Sequence, residues 1–106
     1  MITFNDFKKL DMRIGKIISA EKVQGTDKLM KLEIDLGTEK RQLIAGLADM
    51  YEPNSLIGKE IPILMNLEPR KIRGIESQGM VLAIDVGGKA VIMHPDREVP
   101  PGSTIR

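Results

Sequence analysis

A chain of 106 residues, 42% hydrophobic and 29% charged, has the size and composition of one soluble domain, and none of its apolar runs approaches the ~20 residues of a membrane helix. With no cysteine and a single histidine, it lacks the means for disulfides, thiolate chemistry and the common zinc sites, so neither a metal nor a cofactor is expected. A formal net charge of +1 supplies no global basic field, so affinity for nucleic acid has to come from a local patch.

The first residues, Met1 to Lys8, lack the basic start and long apolar centre of a signal peptide, which predicts a cytoplasmic protein. Asn5 is placed to cap a short helical turn over Asp6-Phe7-Lys8-Lys9. Between Met12 and Val23 the apolar alternation loses phase after Gly15, as in a long first strand that bends and feeds two sides of a small barrel. Gly25-Thr26-Asp27 reads as a turn. Beyond it, Met30, Leu32, Ile34 and Leu36 alternate with Lys31, Glu33 and Asp35, the clearest strand pattern in the chain. Gly37-Thr38-Glu39 predicts a hairpin into a third strand, Arg41-Gln42-Leu43-Ile44-Ala45.

Leu47, Met50 and Tyr51 then take helical spacing, with Pro53 as the expected stop. The apolar run Ile61-Pro62-Ile63-Leu64-Met65 predicts a buried fourth strand with Pro62 near its start. Met80 to Val86 predicts the fifth, turned by Gly87-Gly88-Lys89 into Ala90-Val91-Ile92-Met93, and Pro95, Pro100 and Pro101 stiffen the tail. A short helix between the third and fourth of five strands is the plan of an OB-fold. The expectation is therefore an all-β, five-stranded Greek-key barrel with N- and C-terminal extensions, forming one domain over residues 1–106.

Between the fourth and fifth strands lies Asn66 to Met80, where Pro69, Gly74 and Gly79 oppose a regular helix and predict a loop. It carries Arg70, Lys71 and Arg73 within four positions, a cation cluster suited to an anionic partner. Catalytic signatures are missing: there is no P-loop, GxGxxG, nucleophile elbow or HExxH, and His94 has no cysteine or second histidine beside it. Asp27, Asp35, Asp85 and Asp96 fall at turns and strand ends, where Asp serves local backbone donors. A non-catalytic binding module remains. Its strands offer no aromatic platform for stacking bases, which argues against sequence-blind single-strand binding and in favour of a folded RNA held by cations, hydroxyls and a non-aromatic surface such as Met80.

Four segments carry a family resemblance: Asp6-Phe7 with Asp11-Met12-Arg13-Ile14-Gly15-Lys16-Ile17; Asp27-Lys28-Leu29 with Leu32-Glu33-Ile34-Asp35-Leu36-Gly37; Asn66 through Gly74; and Ser77-Gln78-Gly79-Met80. In this order they resemble the OB-fold tRNA-binding domain found at the C-terminus of methionyl-tRNA synthetase, in its separate β subunit, and in stand-alone tRNA-binding and synthetase-associated cytokine relatives. The resemblance implies a tRNA-binding face of Lys28, Arg41, Asn66, Lys71, Arg73, Ser77 and Met80. In it the cations would meet phosphates, Ser77 a hydroxyl or phosphate oxygen, and Met80 a base or ribose face. The residues alone also allow Lys28 and Arg41 as hairpin cations, Ser77 as a turn cap and Met80 as a core residue. Where close relatives often carry an aromatic after the Lys-Leu pair, this chain has Met30.

The resemblance further implies an accessory module that adds tRNA affinity to a synthetase catalytic subunit, and a homodimer. An apolar surface from Phe4, Phe7, Ile92, Val99 and Ile105 would form the dimer contact. The alternative within the same fold is a chaperone-like module that binds peptides or proteins, for which Met-rich surfaces are suited.

Overall fold

The computed structural model describes residues 1–106. Strands β1 (Met12–Lys22), β2 (Met30–Asp35), β3 (Lys40–Ala45), β4 (Glu60–Leu64) and β7 (Met80–Val81) form one antiparallel sheet in the order β3-β2-β1-β4-β7. The sheet curls into a nearly closed OB-like barrel. Two short hairpins stand outside it: β5 (Arg70–Ile72) with β6 (Ile75–Ser77), and β8 (Ala83–Val86) with β9 (Lys89–Ile92). The helices α1 (Phe4–Lys8) and α2 (Pro53–Leu56) are single turns, and no helix is long and apolar enough to cross a membrane.

The alternation of β2 places Met30, Leu32 and Ile34 inside, and all five residues of β4 are buried. Together with Ile17, Leu36, Leu43, Leu47 and Leu56 they fill the barrel, each apolar side chain contributing on the order of 1.5–3 kcal/mol on burial. The bend of β1 is a bulge: its pairing with β2 shifts register between Ile17 and Ser19, two residues beyond Gly15. Gly15 itself lies where a Cβ would collide with Ile34 on β2.

Several local expectations are corrected. Thr3, not Asn5, caps α1, because Thr3 and Asp6 exchange side-chain and backbone bonds in a capping box. Pro53 opens α2 instead of ending a helix, since the first helical position has no partner for an N–H in any case. Leu47 to Tyr51 forms one turn whose buried Leu47 joins Leu56 in the core.

Pro62 lies in the middle of β4, opposite Ile14. Ile14 turns its own N–H and C=O away from β4, toward Ser103 and Gly102, so Pro62 is not asked for a donor on that side. On the other side it matters. Leu82 donates to the Pro62 carbonyl at 3.0 Å, and Pro62 has no N–H to return. The β4–β7 ladder stops there, which is why the expected fifth strand divides into β7 on the barrel and β8 in a separate hairpin.

The tail is also better ordered than its prolines suggest. Gly102 and Ser103 bond Ile14, Ile105 donates to the Met12 carbonyl, and Val99 donates to the Glu60 carboxylate at 2.9 Å. Val99 and Ile105 are consequently half-buried, and so is Ile92 on β9, which packs against the core.

The bonds that Asp6 accepts from the backbone N–H and hydroxyl of Thr3 lower its pKa below its ordinary value. A carboxylate depressed in the folded state stabilises above its unfolded pKa, and that contribution is lost as pH falls through the folded value. The protection of the Thr3 and Asp6 amides, taken relative to the intrinsic exchange rate at each pH, should therefore fall in acid before that of Leu32, a difference measurable by NMR.

Candidate nucleic-acid interface

The segment from Asn66 to Met80 is a hairpin rather than a loop. Arg70 pairs with Ser77, Lys71 with Glu76 and Ile72 with Ile75, leaving Arg73-Gly74 as a two-residue turn. Both turn residues have positive φ, 54° and 77°, as a type I′ turn requires. Because successive pairs alternate faces, Ile72, Ile75 and Ser77 turn toward the barrel while Lys71 and Glu76 face outward. Arg73, at the tip, is the one non-glycine residue with positive φ, a conformation that costs a side-chain-bearing residue on the order of 1–2 kcal/mol.

The hairpin is fastened along the open side of β3. Ser77 Oγ accepts from the buried Ile44 N–H at 3.0 Å and donates to the Gly79 carbonyl at 3.1 Å. Gln78 N–H donates to the Gln42 carbonyl at 2.9 Å, and Gln78 Oε1 accepts from Gln42 N–H at 3.0 Å. Gln42 Nε2 reaches the Glu76 carbonyl at 2.8 Å. Gly79, at φ 135°, lets the chain pass closely over β4, where a Cβ would lie 2.8 Å from the Leu64 carbonyl oxygen.

Of the seven residues implied by resemblance, Lys71, Arg73 and Lys28 are exposed, and no carboxylate pairs with them or with the neighbouring Arg70. Since Ser77 meets Ile44 and Gln78 meets Gln42, the hairpin points along β3 toward Ala45. Lys28 lies at that same end, its carbonyl accepting from Ala48. Met80 is 41% exposed on β7, so it is not a core residue, and with Leu67 and Ile72 it lines a shallow, partly apolar recess that Glu68 and Arg70 share.

The remaining three are engaged in the fold. Arg41 pairs with Glu39 and donates to the carbonyls of Met65, at 2.7 Å, and Gln78, at 3.2 Å. Asn66 accepts from Asp11 N–H and donates to the Lys9 carbonyl, joining the N-terminal arm to the end of β4. Ser77 is 4% exposed, its hydroxyl proton given to the Gly79 carbonyl and one lone pair to the Ile44 N–H, so it is turned into the fold. Neither Gln42 nor Gln78 was assigned a role from the sequence: Gln42 is a polar residue on a half-exposed strand, and Gln78, although it lies in the Ser77-Gln78-Gly79-Met80 segment of the resemblance, was passed over for its neighbours. No three His, Asp or Glu side chains converge in a way that could hold a metal ion.

A five-stranded OB-like barrel that presents unpaired cations on a fastened hairpin, beside a partly apolar recess, defines a binding module of the nucleic-acid type. Comparison with known proteins narrows this: residues 12–104 match the family described as "Putative tRNA binding domain", and the chain belongs to that family. It is 51% identical over 106 residues to the methionine–tRNA ligase of Methanothrix thermoacetophila. That match takes in the whole of this chain but 16% of the relative, so the chain spans about one sixth of the length of the synthetases it resembles. Among solved structures, the MetRS-related protein of Pyrococcus horikoshii superposes with a TM-score of 0.94 at 36% identity, covering 100% of this chain and 98% of that one. The chaperone CsaA of Bacillus anthracis superposes with a TM-score of 0.93 at 34% identity, covering 100% and 99%.

Replacing Arg73 by Asn, which tolerates positive φ, should stabilise the hairpin by up to about 1 kcal/mol. Slower amide exchange at Ile75 in Arg73→Asn than in the parent would register it; unchanged or faster exchange would show that the arginine is not strained.

Proposed function

We propose that this chain is a non-catalytic tRNA-binding module that raises the affinity of a methionyl-tRNA synthetase for its substrate, as a β subunit or a C-terminal domain. The observation that carries this reading is the set of exposed cations Lys28, Lys71 and Arg73, none of them in an ion pair, together with the exposed Met80. Lys28, Lys71 and Arg73 hold phosphates, and Met80 supports a base or ribose face. Arg41 and Ser77 fix the segment that carries the hairpin, while Asn66 ties the N-terminal arm to the end of β4. A second weak contact of this kind strengthens a synthetase–tRNA complex through effective concentration, without chemistry of its own. A cytoplasmic location belongs to the same reading.

The decisive experiment is binding to folded tRNA and to a denatured transcript of the same sequence, titrated with salt. Binding should weaken with salt, and Lys71→Ala and Arg73→Ala should each lower the log–log slope by about one unit. Met80→Ala should reduce affinity with little change in slope or melting temperature, since its side chain is exposed. The chaperone-like reading draws on the similarity to CsaA and the exposed Leu67 and Met80. It requires salt-insensitive binding and peptide competition.

We also propose a homodimer, supported by exposed apolar residues on the N-terminal arm (Ile2, Phe4, Leu10) and around the C-terminal hairpin (Ile84, Val86, Met93). The tail supplies less of this surface than its sequence suggests, because Val99 and Ile105 are half-buried against the barrel. Sedimentation of the chain at high micromolar concentration should report a dimer, and Ile84→Lys with Val86→Lys should dissociate it. A parent chain that stays monomeric would defeat the proposal.

A further inference from the structure

The cation-bearing hairpin is not part of the barrel sheet. Its strands are three residues each, and a two-stranded hairpin of that size is marginal by itself in water. What fixes it is a set of bonds from one short stretch, Glu76 to Gln78, to one strand, β3. Ser77 is the buried part of that attachment, and Gln42 and Gln78 are the half-exposed part. Between the two glutamines run a backbone bond at 2.9 Å and a side-chain bond at 3.0 Å, and Gln42 Nε2 reaches over to the Glu76 carbonyl at 2.8 Å. Gln78 is also tied through its own carbonyl to Arg41.

Glu76 is the direct cross-strand partner of Lys71, so the carbonyl that Gln42 grips belongs to the pair that places the outward cation. Neither glutamine carries charge, and both side chains are committed to backbone groups. The geometry points to Gln42 and Gln78 as positioning residues, a clasp that holds the hairpin cations at a fixed spacing and so makes binding selective for the shape of a folded RNA over the same RNA denatured. This deepens the tRNA-binding reading and rests on it.

The physical basis is the division between attraction and register. Counterion release depends on how many cations meet phosphates, and a loosened hairpin still carries Arg70, Lys71 and Arg73. Discrimination between a folded and a denatured backbone depends on cations held where only the folded phosphates lie. Loss of the clasp therefore removes selectivity while leaving the salt slope in place, whereas loss of a cation lowers the slope.

The test compares the parent with Gln78→Met, which keeps bulk and backbone but has no oxygen to accept from Gln42 N–H, and with Gln78→Glu, which keeps the acceptor. Folded and denatured tRNA transcript are the probes, each titrated with salt, and amide exchange at Gln42 and Leu32 is followed without RNA. In Gln78→Met the preference for folded over denatured tRNA should fall about three- to tenfold, the loss expected for one hydrogen bond. The salt slope should stay at the parent value, with faster exchange at Gln42 and none at Leu32. Gln78→Glu should retain the preference ratio even as its added charge lowers both affinities. Gln42→Leu, which removes only the bond to Glu76, is the second variant should Gln78→Met unfold, and the same loss of preference is expected of it.

An unchanged preference in a folded Gln78→Met or Gln42→Leu would overturn the clasp while leaving tRNA binding intact. A parent chain that shows no salt-dependent tRNA binding would overturn the underlying reading, and the clasp with it.

Discussion

The barrel depends on how its last gap is closed. A sheet ordered β3-β2-β1-β4-β7 has two free edges, and β3 and β7 do not pair with each other. The N–H groups of Gln42 and Ile44 on β3 would otherwise lack partners, and an unsatisfied buried donor costs roughly 1–3 kcal/mol. Two consecutive side chains supply what a sixth strand would have: Gln78 Oε1 accepts from Gln42 and Ser77 Oγ from Ile44. Only one backbone bond, Gln78 N–H to the Gln42 carbonyl, crosses the gap. The closing segment is thus read by its side chains, which leaves the hairpin ahead of it free to extend outward with its cations.

A division of labour follows among the charged residues. Arg41 is consumed by the fold: its guanidinium joins Glu39 and the carbonyls of Met65 and Gln78, binding the end of β4 to the closing segment. Lys28, Arg70, Lys71 and Arg73 enter no ion pair, so the fold gains little from them and a ligand can take them without breaking anything. Such a surface suits a weak, salt-sensitive contact whose value lies in being tethered to another. The strained conformation of Arg73 fits the same pattern, since the turn would accept glycine or asparagine more readily.

Much of the fold was legible in the sequence because its signals are local. The alternation from Met30 to Leu36 and the apolar run from Ile61 to Met65 give the barrel interior directly, and the Gly37 and Gly87-Gly88 turns mark hairpins that the structure contains. What escaped depends on distant partners. The break of the fifth strand at Leu82 is caused by the missing N–H of Pro62, twenty residues away, and nothing between Met80 and Val86 announces it. The hairpin at Arg70 to Ser77 was hidden because Arg-Gly is an unusual type I′ turn and Pro69 suggested irregularity. At the candidate site, the family pattern named residues without showing which of them the fold itself holds. Ser77 and Asn66 resemble contact residues by motif, and only their hydrogen bonds reveal that both are held by the chain itself.

The path of the C-terminal tail has a consequence for the behaviour of the molecule in concentrated solution. Past its bulge β1 is flanked by β2, but before it the strand would show a row of bare peptide groups at Met12 and Ile14, and Gly102 to Ile105 lies over that row. An uncovered row of this kind is a template for any other extended chain, including another copy of the same protein. The three hydrogen bonds from this segment to Met12 and Ile14 therefore cap the free edge of the first strand. Removing Gly102 to Ile105 would leave the buried residues of the barrel in place and bare an edge that another extended chain can pair with.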